Sequence, residues 1–170
     1  MCTDIFDIAQ KCATVLIAIC SLYFTYFFYT NNLQRTDADK KRDRNIQWLK
    51  VLVLDHNFKY FYDFFEKIQN DLNSLNVPNL SDSTKGQINE TLDDYFIDLR
   101  RKFIDSLLAI DDSLYNEILK KFDDFQTYLT EVIFDNGINL AHLPKFDEKI
   151  TSKLLILKTD VIKTLFNYSG

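Results

Sequence analysis

At 170 residues the chain has room for one domain of ordinary size beside a short accessory segment, and not for two. Its 20 basic and 25 acidic residues leave a net charge of −5, and past residue 30 the balance is 19 basic to 23 acidic. No duplex nucleic acid is therefore expected as a partner, because its phosphates would be repelled on average.

Residues 1–11 read as a short extracytoplasmic tail that carries Asp4, Asp7 and Lys11. The next stretch, 12–30, is organised by the run Cys12 to Tyr29, which has no charge, no Pro and no Gly. As a helix at about 1.5 Å per residue it spans roughly 27 Å, close to the roughly 30 Å hydrocarbon layer of a bilayer. A cleaved signal peptide is a competing reading, but it calls for a positive leading region and small residues at the cleavage site. Here Asp4 and Asp7 precede the run and the aromatic residues Tyr23, Phe24, Tyr26, Phe27, Phe28 and Tyr29 close it. A core helix is the other reading, and a helix apolar on every side needs a large domain wrapped around it. The expectation is a transmembrane helix. Its polar groups are chiefly Thr14, Ser21 and Thr25, so a water-filled path through the bilayer would have to come from assembly.

Orientation follows from basic residues near the ends of the span. Lys11 stands alone before it, whereas Arg35, Lys40, Lys41, Arg42 and Arg44 follow it, in or next to a basic juxtamembrane linker at 31–43. The C-terminal domain is accordingly expected in the cytoplasm, with the span in the cell inner membrane. Tyr23, Tyr26 and Tyr29 suit the interfacial belt, where a ring sits in the boundary and its hydroxyl stays wet. The basic run needs only topology and attraction to anionic membrane lipid to explain it; a nucleic-acid site is the rarer use of such runs.

The remaining residues, 44–170, read as helices. Three Gly and two Pro in the whole chain leave few turns. Residues 44–54 are strongly apolar; the VLVL run also suits a strand, but no partner strand exists, so helix is expected. Asp55 is a candidate N-cap for a helix over 56–75 whose apolar positions are Phe58, Phe61, Phe65, Ile68, Leu72 and Leu75, widened by Tyr60, Tyr62 and Phe64. So many rings on one helix also fit a base-stacking platform, but helical spacing accounts for them as core. Pro78 interrupts. Thr84 with Gln87 has capping-box spacing, and a helix over 85–110 follows with the seam Ile88, Leu92, Tyr95, Leu99, Phe103, Leu107 and Ile110, or Phe96 and Ile104 one step on. Asp111, Asp112 and Ser113 cap the next helix, 114–135, with Leu114, Ile118, Phe122, Phe125, Leu129, Val132 and Ile133 inward. Asn136 and Gly137 are expected to end it in a left-handed cap. Pro144 opens the last helix, whose seam is Ile150, Leu154, Leu157, Val161 and Leu165. The fold class is all-α: an N-terminal transmembrane helix followed by a cytosolic antiparallel bundle of about four to five helices.

Catalytic groups are sparse. His56 and His142 lie in separate turn regions without HExxH, CxxC or paired-His spacing, no Ser occupies a GxSxG elbow, and few Gly are available to cradle phosphate. Cys2, Cys12 and Cys20 imply neither a disulfide framework nor a metal site. The Asp93–Asp94, Asp111–Asp112 and Asp123–Asp124 doublets face different ways on a helix and suit solvated faces and caps. A non-enzyme with no metal and no cofactor is expected. The less ordinary feature is cationic. Arg100, Arg101 and Lys102 lie mid-helix, and Lys145, Lys149 and Lys153 recur at four-residue spacing, with Lys158 and Lys163 beyond. Either group suits an anionic ligand such as a small nucleotide, Arg through bidentate phosphate contacts. Ordinary solubilising charges paired with Asp98 or Glu148 account for them better.

A lone N-terminal span, a basic collar and a small helical domain without an active site resemble the membrane effectors of bacterial antiviral defence systems of retron and type III CRISPR type. The resemblance lies in the layout of the whole chain and in no motif, so no family residue maps onto a position here. It implies a homo-oligomer whose spans gather in the bilayer, and a cytosolic part that senses an anionic nucleotide or a partner protein. The rival expectation is a passive tether or assembly subunit of a larger complex.

Overall fold

A computed structural model describes the backbone of residues 2–170 and the side chains of 14–33 and 36–170. Among the described residues the chain is all-helical, with no strand. Two units separate by contact, residues 1–43 and 44–170.

The first unit belongs to α1, Cys2–Trp48, which is helical through 31–43 as well as through the apolar run. It contains a helical stretch long and apolar enough to cross a membrane, with a mean hydropathy of 1.3 over its most apolar window and 0% of that window buried. A core helix of a soluble domain would be mostly covered; here Val15, Leu16, Ile17, Leu22, Phe24 and Phe28 are all exposed. Two hydroxyls inside the run bond to their own helix. Ser21 Oγ donates to the Ile17 carbonyl and Thr25 Oγ1 to the Ser21 carbonyl, both at 2.8 Å.

In the second unit the end of α1 passes without a cap into a π-helical segment, π1 (Leu49–Asn57), and then α2 (Phe58–Asn73). Leu49 and Val53 are buried and Phe58 is partly buried. The step of five from Val53 to Phe58 would throw an α-helical seam off its face, and the widened turn absorbs the extra residue. The helix expected over 46–54 is present, as α-helix to Trp48 and as π-helix from Leu49, while the expectation for Asp55 is corrected: it caps nothing because no break occurs there. Asn79 then takes a left-handed conformation, φ 61°, in the turn after Pro78.

Helix α3 (Asp82–Leu99) is capped by Ser81, whose hydroxyl accepts from the Thr84 N–H at 3.1 Å. Thr84 is therefore inside the helix, three residues past its cap. Segment π2 (Arg100–Ile104) and the short α4 (Asp105–Leu108) continue it. In π2, Phe103 and Ile104 are both buried, as is Phe96 before it, so the two registers open to this seam are both used. Helix α5 (Asp112–Phe134) starts on Asp111, whose carboxylate accepts from the Leu114 N–H at 2.9 Å. All seven inward residues expected for it are buried. Its end is not a left-handed cap. Asp135 is extended and its Oδ1 accepts from the Gly137 N–H at 2.7 Å, an Asx turn that leads the chain away from the helix. Pro144 sits in the first turn of α6 (Leu143–Phe146), which runs through π3 (Asp147–Thr151) into α7 (Ser152–Phe166). Phe146, Ile150 and Leu154 follow at steps of four, and the widened turn keeps them on one face.

Contacts between these helices run in opposite directions along each pair. Phe58 meets Phe103 while Phe64, further along α2, meets Phe96; Phe96 meets Phe122 while Asn89 meets Thr130. Tyr128 meets Lys149 while Glu117 meets Thr164. The centre is a ring cluster in which Phe64 lies 5.1 Å from Phe96 and 5.6 Å from Phe122, and Phe61 lies 5.4 Å from Phe103. Phe61, Phe64 and Phe65 are buried, so the middle of the aromatic stripe is core, with Phe58 and Tyr60 partly buried and Tyr62 exposed at its edge.

Phe103→Ala empties the centre of that cluster and is expected to cost about 3–5 kcal/mol, whereas Ile97→Ala on the exposed side of α3 costs under about 1 kcal/mol. Denaturant unfolding of the full chain in detergent micelles, followed by far-ultraviolet circular dichroism, checks the contrast.

Candidate functional site

Each of the two cationic groups includes a widened turn. Arg100, Arg101 and Lys102 occupy the first three positions of π2, and Lys149 lies in π3, one residue after Glu148. The cause is the buried seam beneath, since the turn that brings Phe103 or Ile150 inward turns the intervening cations out. Arg100 Nε lies 3.8 Å from Asp105, and its Nη2 donates to the Tyr115 hydroxyl at 3.3 Å. That hydroxyl, more than any charge, holds the guanidinium pKa above its ordinary value. Lys102 Nζ donates to Asp98 at 2.6 Å, and this contact lowers the Asp98 pKa. Lys145 and Lys149 both bind Glu148, at 2.9 and 3.1 Å, which lowers the Glu148 pKa and raises that of Lys149. Lys153 lies over the Tyr128 ring, 6.0 Å from its centre. No carboxylate holds Arg101 among the described residues.

The two groups do not form one site. Arg100 reaches Tyr115 and Lys149 lies at Tyr128. Those tyrosines are roughly 20 Å apart along α5 at about 1.5 Å per residue. The cleft beside Lys102 has a volume of 140 Å³ and is shared with Asp63, Asp98, Tyr60 and Tyr95. That is below the roughly 300–1,000 Å³ of sites that enclose a small molecule. What the cations can do is bind an anion at the surface, in competition with the carboxylates already on them.

Around the basic collar, Arg42 is held by Asp39 at 3.5 Å and Asp43 at 3.8 Å. Arg44 lies over the Trp48 ring at 5.4 Å. Lys40 and Lys41 are exposed, as are Tyr23, Tyr26 and Tyr29. The Arg35 side chain lies outside the described residues.

Some polar groups had no signal in the sequence, because residues far apart in it meet. Asp93 accepts from Gln126 of α5 at 2.7 Å and from Asn89 at 3.2 Å, so it clamps α3 to α5. Asn45 is buried and donates to the Tyr168 hydroxyl at 3.4 Å, tying the end of α1 to the last residues. A 730 Å³ cleft opens between the start of α5 and residues 160–170. Its Asp111, Glu117 and Asp160 outnumber Lys121 and Lys163, a poor balance for an anion. Among the described residues no three His, Cys, Asp or Glu side chains gather as metal ligands. No protein-family model, no characterised protein and no solved structure matches this chain.

The lowered pKa values of Asp98 and Glu148 set the sign of a pH effect. Their pairs stabilise the fold above the ordinary carboxylate range and lose that contribution as the pH falls through the folded-state values. The stability gap between the wild type and an Asp98→Asn/Glu148→Gln variant is expected to be open at neutral pH, closed in acid and narrowed by salt. Unfolding midpoints across pH check this, and a gap that ignores pH would refute it.

Proposed function

We propose that the chain is a single-pass membrane-anchored effector or signalling subunit. In this reading residues 12–30 cross the inner membrane, and the C-terminal helical domain lies in the cytoplasm. That domain assembles with further copies and responds to a protein partner or an anionic ligand. The membrane is the place of action, in a setting like the antiviral systems whose layout it resembles.

The observation that carries the reading is the apolar run itself, exposed on every side within its own chain. An all-round apolar helix left in water is strongly disfavoured, at about 25 cal/mol for each Å² of apolar surface, so it calls for lipid. The back-bonded hydroxyls of Ser21 and Thr25 support this, since hydrocarbon offers them no other partner. The exposed tyrosines and the lysines at 40 and 41 suit an inner interface. Between the two kinds of stimulus a protein partner has the better support, because carboxylates already occupy Lys102, Lys145 and Lys149. The same pairing favours the second reading, a passive tether that holds a partner at the membrane without a stimulus.

The full chain is expected to stay in the membrane fraction after an alkaline wash, at full length, and to depolarise cells when overproduced. Leu16→Lys/Ile19→Lys is expected to abolish retention and depolarisation together. Release of the wild type by the wash, or a shortened mature chain, refutes the anchor. Retention without depolarisation, with one stoichiometric partner co-purifying, selects the tether.

A further inference from the structure

Helix α7 buries Leu154, Leu157, Val161 and Leu165 but leaves Leu155 63% and Ile156 52% exposed. These two neighbours form the crest of a ridge. On one side Leu155 borders a 360 Å³ groove against α2, with Tyr62, Phe65, Glu66 and Lys158. On the other, Ile156 borders a 330 Å³ groove against α5, with Phe125, Tyr128, Asp124 and Lys153. Lysine stems cover the aromatic walls: Lys158 Nζ lies 4.8 Å from the Tyr62 ring centre, and Lys153 reaches over Tyr128 in the same way.

We infer that this ridge and its grooves are the contact between two copies of the chain, α7 of each copy seated beside α7 of the other. The inference rests on the reading that the helical domain assembles, and names the face. Shape is the first argument, because a twofold contact needs one patch that carries both the projecting and the receiving element. The ridge flanked by apolar-walled grooves supplies both. Charge is the second. Glu66 and Lys158 line one groove, and Lys121, Lys153, Asp124 and Asp160 line the other, so each groove holds as many cations as anions. A rim without net charge meets its own copy without net repulsion, although the whole chain carries −5. It offers no attraction of one sign to anionic lipid or nucleic acid. An anchor that holds copies in one membrane raises their effective concentration, so a modest patch suffices.

The test uses the full chain in native membranes, with Cys2→Ser, Cys12→Ala and Cys20→Ala as background. Ile156→Cys is expected to form a disulfide-linked dimer under mild oxidation, and Glu90→Cys, on the exposed side of α3, is not. Adding Leu155→Arg is expected to weaken the dimer at least about tenfold, as a charge placed without a partner at an interface centre does. Since Leu155 is exposed, an unchanged circular dichroism spectrum shows that the variant still folds. Cross-linking of Ile156→Cys no stronger than that of Glu90→Cys overturns the inference. So does a thiol in Ile156→Cys that is shielded from a water-soluble maleimide without cross-linking, which means a different occupant. If the wild type is an oligomer in mild detergent and Leu155→Arg leaves it so, the face is wrong and the assembly reading stands. A wild type that is monomeric in detergent and in membranes overturns both.

Discussion

The constraint on which residues 44–170 depend is the continuity of one apolar seam along helices that do not keep a uniform spacing. An α-helix returns to the same face every three or four residues. Where the chain takes five, from Val53 to Phe58, the backbone widens and the seam keeps its face. The alternative is a large apolar side chain in water, at about 1.5–3 kcal/mol each. The ring cluster of α2, α3 and α5 is the result, and the polar clamp of Asp93 on Gln126 adds direction to a contact that rings alone leave loose.

The surface chemistry follows from this arrangement. Each π turn that buries a ring turns polar residues outward, so the position of Arg100 to Lys102 and of Lys149 comes from the core beneath them. Nearby carboxylates on the same helices then neutralise most of these cations, with the Tyr115 hydroxyl of α5 as a further partner for Arg100. Clusters that stand out in a one-dimensional reading are thus quieter in three dimensions.

How much is legible in the sequence varies with the range of the interaction. The seams of α5 and α7 are legible residue by residue, because regular spacing is a local property, and so is the Asp111 cap. The partners Asp98 and Glu148 are legible too, lying within four residues of their lysines. The π turns are signalled only by the five-residue step before Phe58, which reads as readily as a helix start at Asp55. Ser81 takes the cap expected of Thr84, since both hydroxyls have the chemistry and only the extended backbone at Ser81 distinguishes them. Asn45 with Tyr168, the clamp on Asp93 and the grooves beside α7 join residues from different helices, and no local pattern carries them.

Two apolar surfaces remain, and their shapes call for different surroundings. In α1 the exposed apolar residues, among them Leu16, Ile17, Leu22, Phe24 and Phe28, spread over most of the circumference, with Thr14, Ser21 and Thr25 sharing the remaining sector. A stretch of this length and composition is long and apolar enough to cross a membrane. In α7 the exposed apolar positions are adjacent and narrow, with as many cations as anions lining the grooves on either side. A bilayer would have to strip water from those charges, at a cost that a two-residue crest does not offset. A protein surface with a wet rim leaves them solvated while covering the crest, so the narrower patch supports a partner of the same material as itself.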